Sequence, residues 1–200
     1  MNAIKRIYHI LVKREVKSVL YTKRFKKFGN NSVLYKPLII RAHSDISIGD
    51  NTTILNGVRM QVYNDLTRRD SKLEIGNDCY IGYNNTFLAG GDIIIEDGVL
   101  MASNILISSE NHSVNPEDDK YYMDQKLECE SVVVGEGSWL GENCKILPGV
   151  KIGKKCVIGA GSIVTKSIPD YCIAVGSPAK IIKKYDVNQH KWIVYKEVKS

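Results

Sequence analysis

The sequence lacks any apolar run of about 20 residues, and its first 29 residues lack anything like a cleavage site, so neither a transmembrane helix nor a signal peptide is expected. It also lacks cysteine pairing. Cys79, Cys129, Cys144, Cys156 and Cys172 show neither disulfide-like nor metal-ligand spacing, which points to reduced thiols in a cytoplasmic protein. A disordered bias is missing too, since 44% of the 200 residues are hydrophobic and one ordinary core is within reach.

Acid is scarce in one place. Residues 1–29 hold nine Lys/Arg against one acid, leaving 19 basic against 21 acidic residues for the rest, so the basic pI of about 9.0 belongs to the N-terminus. Ile4, Ile7, Tyr8, Leu11, Val12, Val16, Val19 and Leu20 recur there at roughly helical spacing, which predicts a basic amphipathic helix over residues 1–30. A cap for the fold, or a peripheral contact with an anionic membrane at the inner face, are its two readings. No nucleic-acid motif accompanies the charge, so nucleic acid is not an expected partner.

What the chain has in abundance is a period of six. Val134, Leu140, Ile146, Ile152, Ile158 and Val164 form an unbroken series, which chance would produce about once in a hundred for any given phase. Gly135, Gly141, Gly153 and Gly159 each follow a member of it. Shorter series precede it: Ile48, Ile54, Met60; Ile75, Ile81, Phe87; Ile95, Met101, Ile107. Four positions after the aliphatic residue stand small or β-branched groups such as Thr52, Val58, Cys79, Ser138, Cys144, Val150, Cys156 and Ser162, a second and narrower inward position. A hexapeptide repeat of this kind predicts an all-β repeat fold, a parallel β-helix whose stacked coils share one core. The domain expectation is a β-helix over 31–185, with the tail 186–200 and the N-terminal helix closing its ends.

The rhythm breaks once at length. From Ile107 to Val134 is 27 residues where six would continue it, so an excursion over 108–133 is expected, and long loops inside repeat folds usually carry function. Within it lies "SENHS", with Glu110 and His112.

The run "VGEGSWLGENCKILPGVKIGKKCVIGAGSIVTKSIPDYCIAVGSPAKIIKKY" resembles the C-terminal coils of the hexapeptide-repeat acyltransferases, and within them the bacterial sugar and polysaccharide O-acetyltransferases. That resemblance covers roughly residues 45–185. It implies a left-handed parallel β-helix with an N-terminal helix and a C-terminal helical tail, assembled as a homotrimer with its sites at subunit interfaces. It also implies acetyl-CoA as co-substrate, with no metal, and transfer to a hydroxyl of a saccharide acceptor, a cell-envelope or capsule precursor. An N-acetyltransferase acting on an amino sugar or xenobiotic, and a non-catalytic β-helix scaffold, are the alternatives. A γ-type carbonic anhydrase shares the helix but needs three histidine ligands, and the repeat region offers only His43 and His112.

Carried over residue by residue, the resemblance makes His112 the catalytic base at the foot of the excursion. Imidazole can take a hydroxyl proton at neutral pH and pass it to a thiolate. Glu110 would orient its ring or touch the acceptor. Asn84, in "YIGYNNTFL", would contact the acceptor, although an asparagine at a turn also suits a left-handed corner or a hydrogen-bonded ladder, and Asn85 stands beside it. Relatives carry an acid a few positions later, where this chain has Gly90. Acetyl-CoA would lie along Trp139, Gly141 and Ala160, with Thr165 and Lys166 further on and Lys180 and Lys183 at its phosphates. Backbone N–H groups from Ser138 to Gly141 are the expected oxyanion donors. Tyr121, Tyr122 and Met123 form an apolar cluster expected to seat on a neighbouring copy.

Overall fold

A computed structural model describes residues 22–195. Within them the chain winds through three parallel sheets, visiting each in turn on every coil. The first face stacks Lys27–Phe28, Ile46–Ile48, Leu73–Ile75, Ile93–Ile95, Val132–Val134 and Lys151–Ile152. The second begins with Val33–Leu34 and Thr53–Ile54 and runs through Tyr80–Ile81, Leu100–Met101, Trp139–Leu140 and Val157–Ile158 to Cys172–Gly176. The third stacks Ile39–Arg41, Arg59–Val62, Thr86–Ala89, Leu106–Ser108, Lys145–Ile146 and Ile163–Val164. Val133 pairs with Lys151, Trp139 with Val157 and Lys145 with Ile163, each 18 residues on, so an uninterrupted coil is three hexapeptides.

Register explains the core. Because parallel strands stack without slip, each member of the six-residue series falls on the next face of the coil and above the member one coil earlier, Ile152 above Val134 and Ile158 above Leu140, and all of them, from Ile48 to Val164, are buried to within a few per cent. The narrower positions Thr52, Val58, Cys79, Ser138, Cys144, Val150, Cys156 and Ser162 are buried with them, at the corners. Their polar members are satisfied by the next coil: Ser138 Oγ donates to Gly153 O at 2.8 Å and accepts from Cys156 N at 2.9 Å. Burial pushes the Cys144 and Cys156 thiols up in pKa, which keeps them protonated and inert.

The repeat glycines do a different job from turning corners. A Cβ on Gly135 would lie 2.5 Å from the Gly153 carbonyl carbon, so glycine there admits the neighbouring backbone. The turning is done by left-handed residues. At the corner between the second and third faces these are Gly57, Asn84, Asn104, Asn143 and Gly161, each with an N–H donating to the coil before.

Both ends differ from expectation where they are described. The predicted helix over 1–30 lies mostly outside the described residues, and residues 23–30 form a turn followed by the strand Lys27–Phe28. Phe25 is buried there, edge-on to Phe28 and His43 at centroid distances of 5.5 and 5.1 Å, and closes the first coil. The C-terminal tail is not helical. Ala179–Asp186 and Lys191–Val194 add antiparallel to the last strand of the second face. A sheet edge offers unpaired backbone groups, and "KWIVY" is rich in strand formers, so the tail satisfies the edge as a hairpin.

Candidate active site

Two segments leave the coils, both at the corner between the third and first faces. The larger is the predicted excursion, narrower than expected at 109–131, because Ser108 is still in the third face and Val132 already in the first. It is an arm, not an open loop. Glu110–His112 pairs antiparallel with Leu127–Cys129, setting His112 opposite Leu127. Ser109, fully buried, donates through Oγ to Gly91 O at 2.7 Å and anchors the base. Gln125, also buried, donates to Asn115 O and Lys120 O at 3.0 and 3.1 Å and accepts from Asn115 N at 3.2 Å, which folds the tip around one side chain. Nothing in the hexapeptide rhythm marks Gln125.

The second segment, residues 63–72, was not singled out in the sequence, although the rhythm signals it: Met60 to Ile75 is 15 residues where six would continue. It contains one helical turn, Asn64–Thr67. Between the two segments lies a cleft of about 600 Å³ lined by Tyr63, Arg68, Arg69, Glu110, His112 and Met123 among others.

His112 is exposed on the arm and faces this cleft. Glu110, two residues earlier, stands on the same side of its strand and lines the same space. Among the described residues no hydrogen bond joins the Glu110 carboxylate to the His112 ring, so the orienting contact is not formed here. Glu110 instead acts on Tyr63: burial first, and then its charge, hold the phenol above its usual pKa, with Arg59 and Arg41 pulling back. Arg41 lies over the Tyr63 ring at 5.2 Å and pairs with Asp65. The departure at Gly90 has a cause in packing. A Cβ there would meet Glu110 Cβ at 2.5 Å and Cys129 Sγ at 2.8 Å, so the arm packs directly on Gly90 and sets the Glu110 side chain beside it.

The remaining predicted residues sort by corner. Asn84 lies in the left-handed ladder at the second–third corner, exposed, with Nδ2 donating to Asn104 Oδ1 at 3.4 Å. Asn85 is fully buried and stitches coils together, donating to Ala102 O at 2.8 Å and accepting from Ile105 N at 2.7 Å. Gly141 and exposed Ala160 meet at the same corner as Asn84. A Cβ on Gly141 would sit 2.5 Å from Ala160 N, so packing alone requires this glycine. Trp139, 49% exposed, points outward from the second face in a row continued by Val157, Ile173 and Lys183. Three strand steps put Lys183 about 14 Å from Trp139, and exposed Lys180 sits further along the same strand. Thr165 and Lys166, exposed, fall instead at the His112 corner, beyond Val164.

The expected oxyanion donors are spent. Ser138 N donates to Gly135 O, Trp139 N to Cys156 O and Gly141 N to Ile158 O, all within the coil stack. Tyr121, Tyr122 and Met123 are exposed by 80%, 56% and 77% on the arm. Among the described residues no group of three His, Cys, Asp or Glu side chains is placed to hold a metal ion.

Three-faced coils of hexapeptides, with an arm presenting a histidine over a cleft, define a hexapeptide-repeat β-helix protein. A family model described as "Bacterial transferase hexapeptide (six repeats)" matches residues 131–166. WbbJ of Escherichia coli K12, named for O-acetyl transfer in lipopolysaccharide biosynthesis, is 32% identical over 186 residues, covering 90% of this chain and 91% of its own. The galactoside O-acetyltransferase of the same organism is 35% identical over 129 residues, 64% of this chain and 62% of its own. Among solved structures, a variant of the Bacillus cereus N-acyltransferase AntD, in complex with dTDP and coenzyme A, superposes with a TM-score of 0.74 at 22% identity over 88% of this chain and 92% of that one. The chain belongs to the hexapeptide-repeat acyltransferase family, as an acetyltransferase with acetyl-CoA as co-substrate.

Proposed function

We propose that the protein transfers acetyl from acetyl-CoA to a hydroxyl of a saccharide, a precursor of a cell-envelope or capsule polysaccharide, with His112 as general base. The observation that carries this is the placement of His112: a histidine on a pinned arm, facing a cleft large enough for a sugar, at a corner of the family's fold. In the transfer His112 accepts the hydroxyl proton as the oxygen attacks the thioester carbon. The C–S bond then breaks, and the proton is returned to the departing sulfur. Glu110 and Tyr63 supply acceptor contacts on one wall.

The reading extends to assembly. His112 and the Asn84–Trp139 region stand on different corners of one copy, a whole third face apart, so within a subunit the catalytic base shares its corner with Thr165 and Lys166 alone among the residues proposed for acetyl-CoA. A homotrimer of left-handed coils, as the resemblance implies, would bring the His112 corner of one copy against Asn84, Trp139, Ala160, Lys180 and Lys183 of the next, closing the site against water. WbbJ's name supports a lipopolysaccharide-type acceptor, and its match spans nearly the whole chain. Incubation with acetyl-CoA and a panel of glycans and amino sugars, with product mass and linkage determined, is the test. An O-acetylated saccharide is the expected product; acetylation confined to amines would replace the reading with the N-acetyl one.

A further inference from the structure

Residues 63–72 leave the stack at the same corner as the histidine arm, and nothing in the hexapeptide pattern gives them a task. They are built firmly. Asn64 Nδ2 donates to Ser71 O at 2.9 Å and Asp45 Oδ2 at 3.1 Å, while its Oδ1 accepts from Ser71 N at 2.8 Å. Buried Ser71 donates to Gly90 O at 2.8 Å, and Lys72 N donates to Asp92 Oδ1 at 3.1 Å. Arg69 Nη1 donates to Cys129 O at 3.2 Å, tying the segment to the arm itself. A segment pinned at this many points fixes its backbone, and so the place from which each side chain reaches into the cleft.

What it holds out is cationic. Arg68 ends the helical turn in the left-handed conformation, φ 54°, with its N–H donating to Asn64 O at 2.8 Å. Glycine or asparagine would take that backbone with less strain, so turn geometry does not call for an arginine. The Arg68 guanidinium is exposed in the cleft and makes no hydrogen bond or ion pair among the described residues. Arg69 commits one nitrogen to Cys129 and keeps its other donors. Lys126 adds a third cation from the arm, whereas Glu110 and Asp124 stand in the same cleft and Asp70 is exposed on the segment. The charge is therefore positive along one wall and not throughout. Asp65, the other acid of the segment, is taken by Arg41.

We propose that Arg68 and Arg69 bind a phosphate carried by the acceptor saccharide, so that the substrate is a glycosyl phosphate and not a neutral sugar. This rests on reading the His112 cleft as the acceptor site. Guanidinium forks suit tetrahedral oxyanions through paired N–H donors, and a neutral sugar's hydroxyls have no comparable use for two adjacent full charges. Phosphate seated on the segment would leave the sugar ring between it and the arm, against Tyr63 and Glu110, with a ring hydroxyl towards His112.

Binding to the full-length His112→Ala protein tests this without any turnover. Calorimetry would compare glucose 1-phosphate, glucuronic acid and methyl glucoside. Glucose 1-phosphate should bind at least about tenfold tighter than methyl glucoside, and added salt should narrow the gap. Arg68→Ala on that background should remove about tenfold of the phosphate sugar's affinity while leaving melting, acetyl-CoA binding and methyl glucoside binding unchanged; Arg68→Lys should recover part of it. Equal binding of the charged and neutral sugars, loss of both alike in Arg68→Ala, or no binding of any of the three overturns the proposal. Preference for glucuronic acid alone overturns it in favour of a carboxylate. Unimpaired acetyl transfer by His112→Ala would instead remove the histidine's role and leave the binding comparison standing.

Discussion

His112 and Gly141 came from the same resemblance and have different physical standing. His112 sits on an exposed strand of the arm, away from the buried ladder, so its side chain contributes little to the stack. His112→Ala should lower acetyl transfer by about 10²- to 10⁴-fold, the usual worth of a positioned acid–base group, with melting, assembly mass and acetyl-CoA affinity held. Activity within a few-fold of wild type would clear it of catalysis. Gly141 is the reverse case. Its Cβ would press on the backbone of Ala160, which cannot swing aside as a side chain can, so Gly141→Ala should destabilise the stack by about 1–3 kcal/mol. Chemical denaturation with unchanged m-value is the measurement, and an unchanged midpoint would show that neighbouring coils can slide apart more easily than close packing allows.

The arm and the first coil are separable elements. Gln125 holds the arm's tip through three hydrogen bonds, none of which reaches the β-helix core. Gln125→Ala removes all three at once and should loosen the arm alone. Amide exchange should speed up across residues 113–127 and acetyl transfer should fall about tenfold, while the coil amides keep their protection. Global loss of protection would mean that arm and stack fold as one unit. The first coil has its own sensitivity, to acid. His43, packed against Phe25, has its pKa lowered, by burial first and by Arg24 second. A base whose folded pKa is depressed binds its proton more readily when unfolded. Its contribution is therefore present above the unfolded value of about 6.5 and is lost as pH falls below it. Melting temperature should drop between about pH 7.5 and 5.5, and the drop should shrink in His43→Phe; an equal drop in both would place the acid sensitivity elsewhere.

For the whole molecule, the proposed site residues on separate corners would make assembly a condition of chemistry. If the base comes from one copy and the Trp139 face from the next, an equal mixture of His112→Ala and Trp139→Ala, unfolded and reassembled together, should recover about a quarter of wild-type activity, since a quarter of the interfaces would hold both native residues. Each variant reassembled alone should stay near its own low level. No recovery in the mixture, or an active monomer in sedimentation, would place the site within a single copy.

The six-residue rhythm was enough to indicate a parallel β-helix, because each side of a coil buries the same inward positions and stacking repeats that demand at a fixed interval. Ile48 through Val164 lie in the core where the period puts them. The break after Ile107 likewise marked the arm, since residues that do not serve the ladder leave the coil. Three things were decided only by the fold. The tail pairs as strands because a free sheet edge awaits it; "KWIVY" favours a strand, but the sequence does not disclose the edge that it meets. Glu110 occupies the space of an absent side chain at Gly90, a contact between residues twenty apart. Residues 63–72 and 109–131 face one cleft because coils of unequal length return to the same corner, and sequence distance carries no record of which corner that is. Periodicity is a local property repeated, so the sequence displays it; which interruptions meet is set by the winding, and only the tertiary structure holds that.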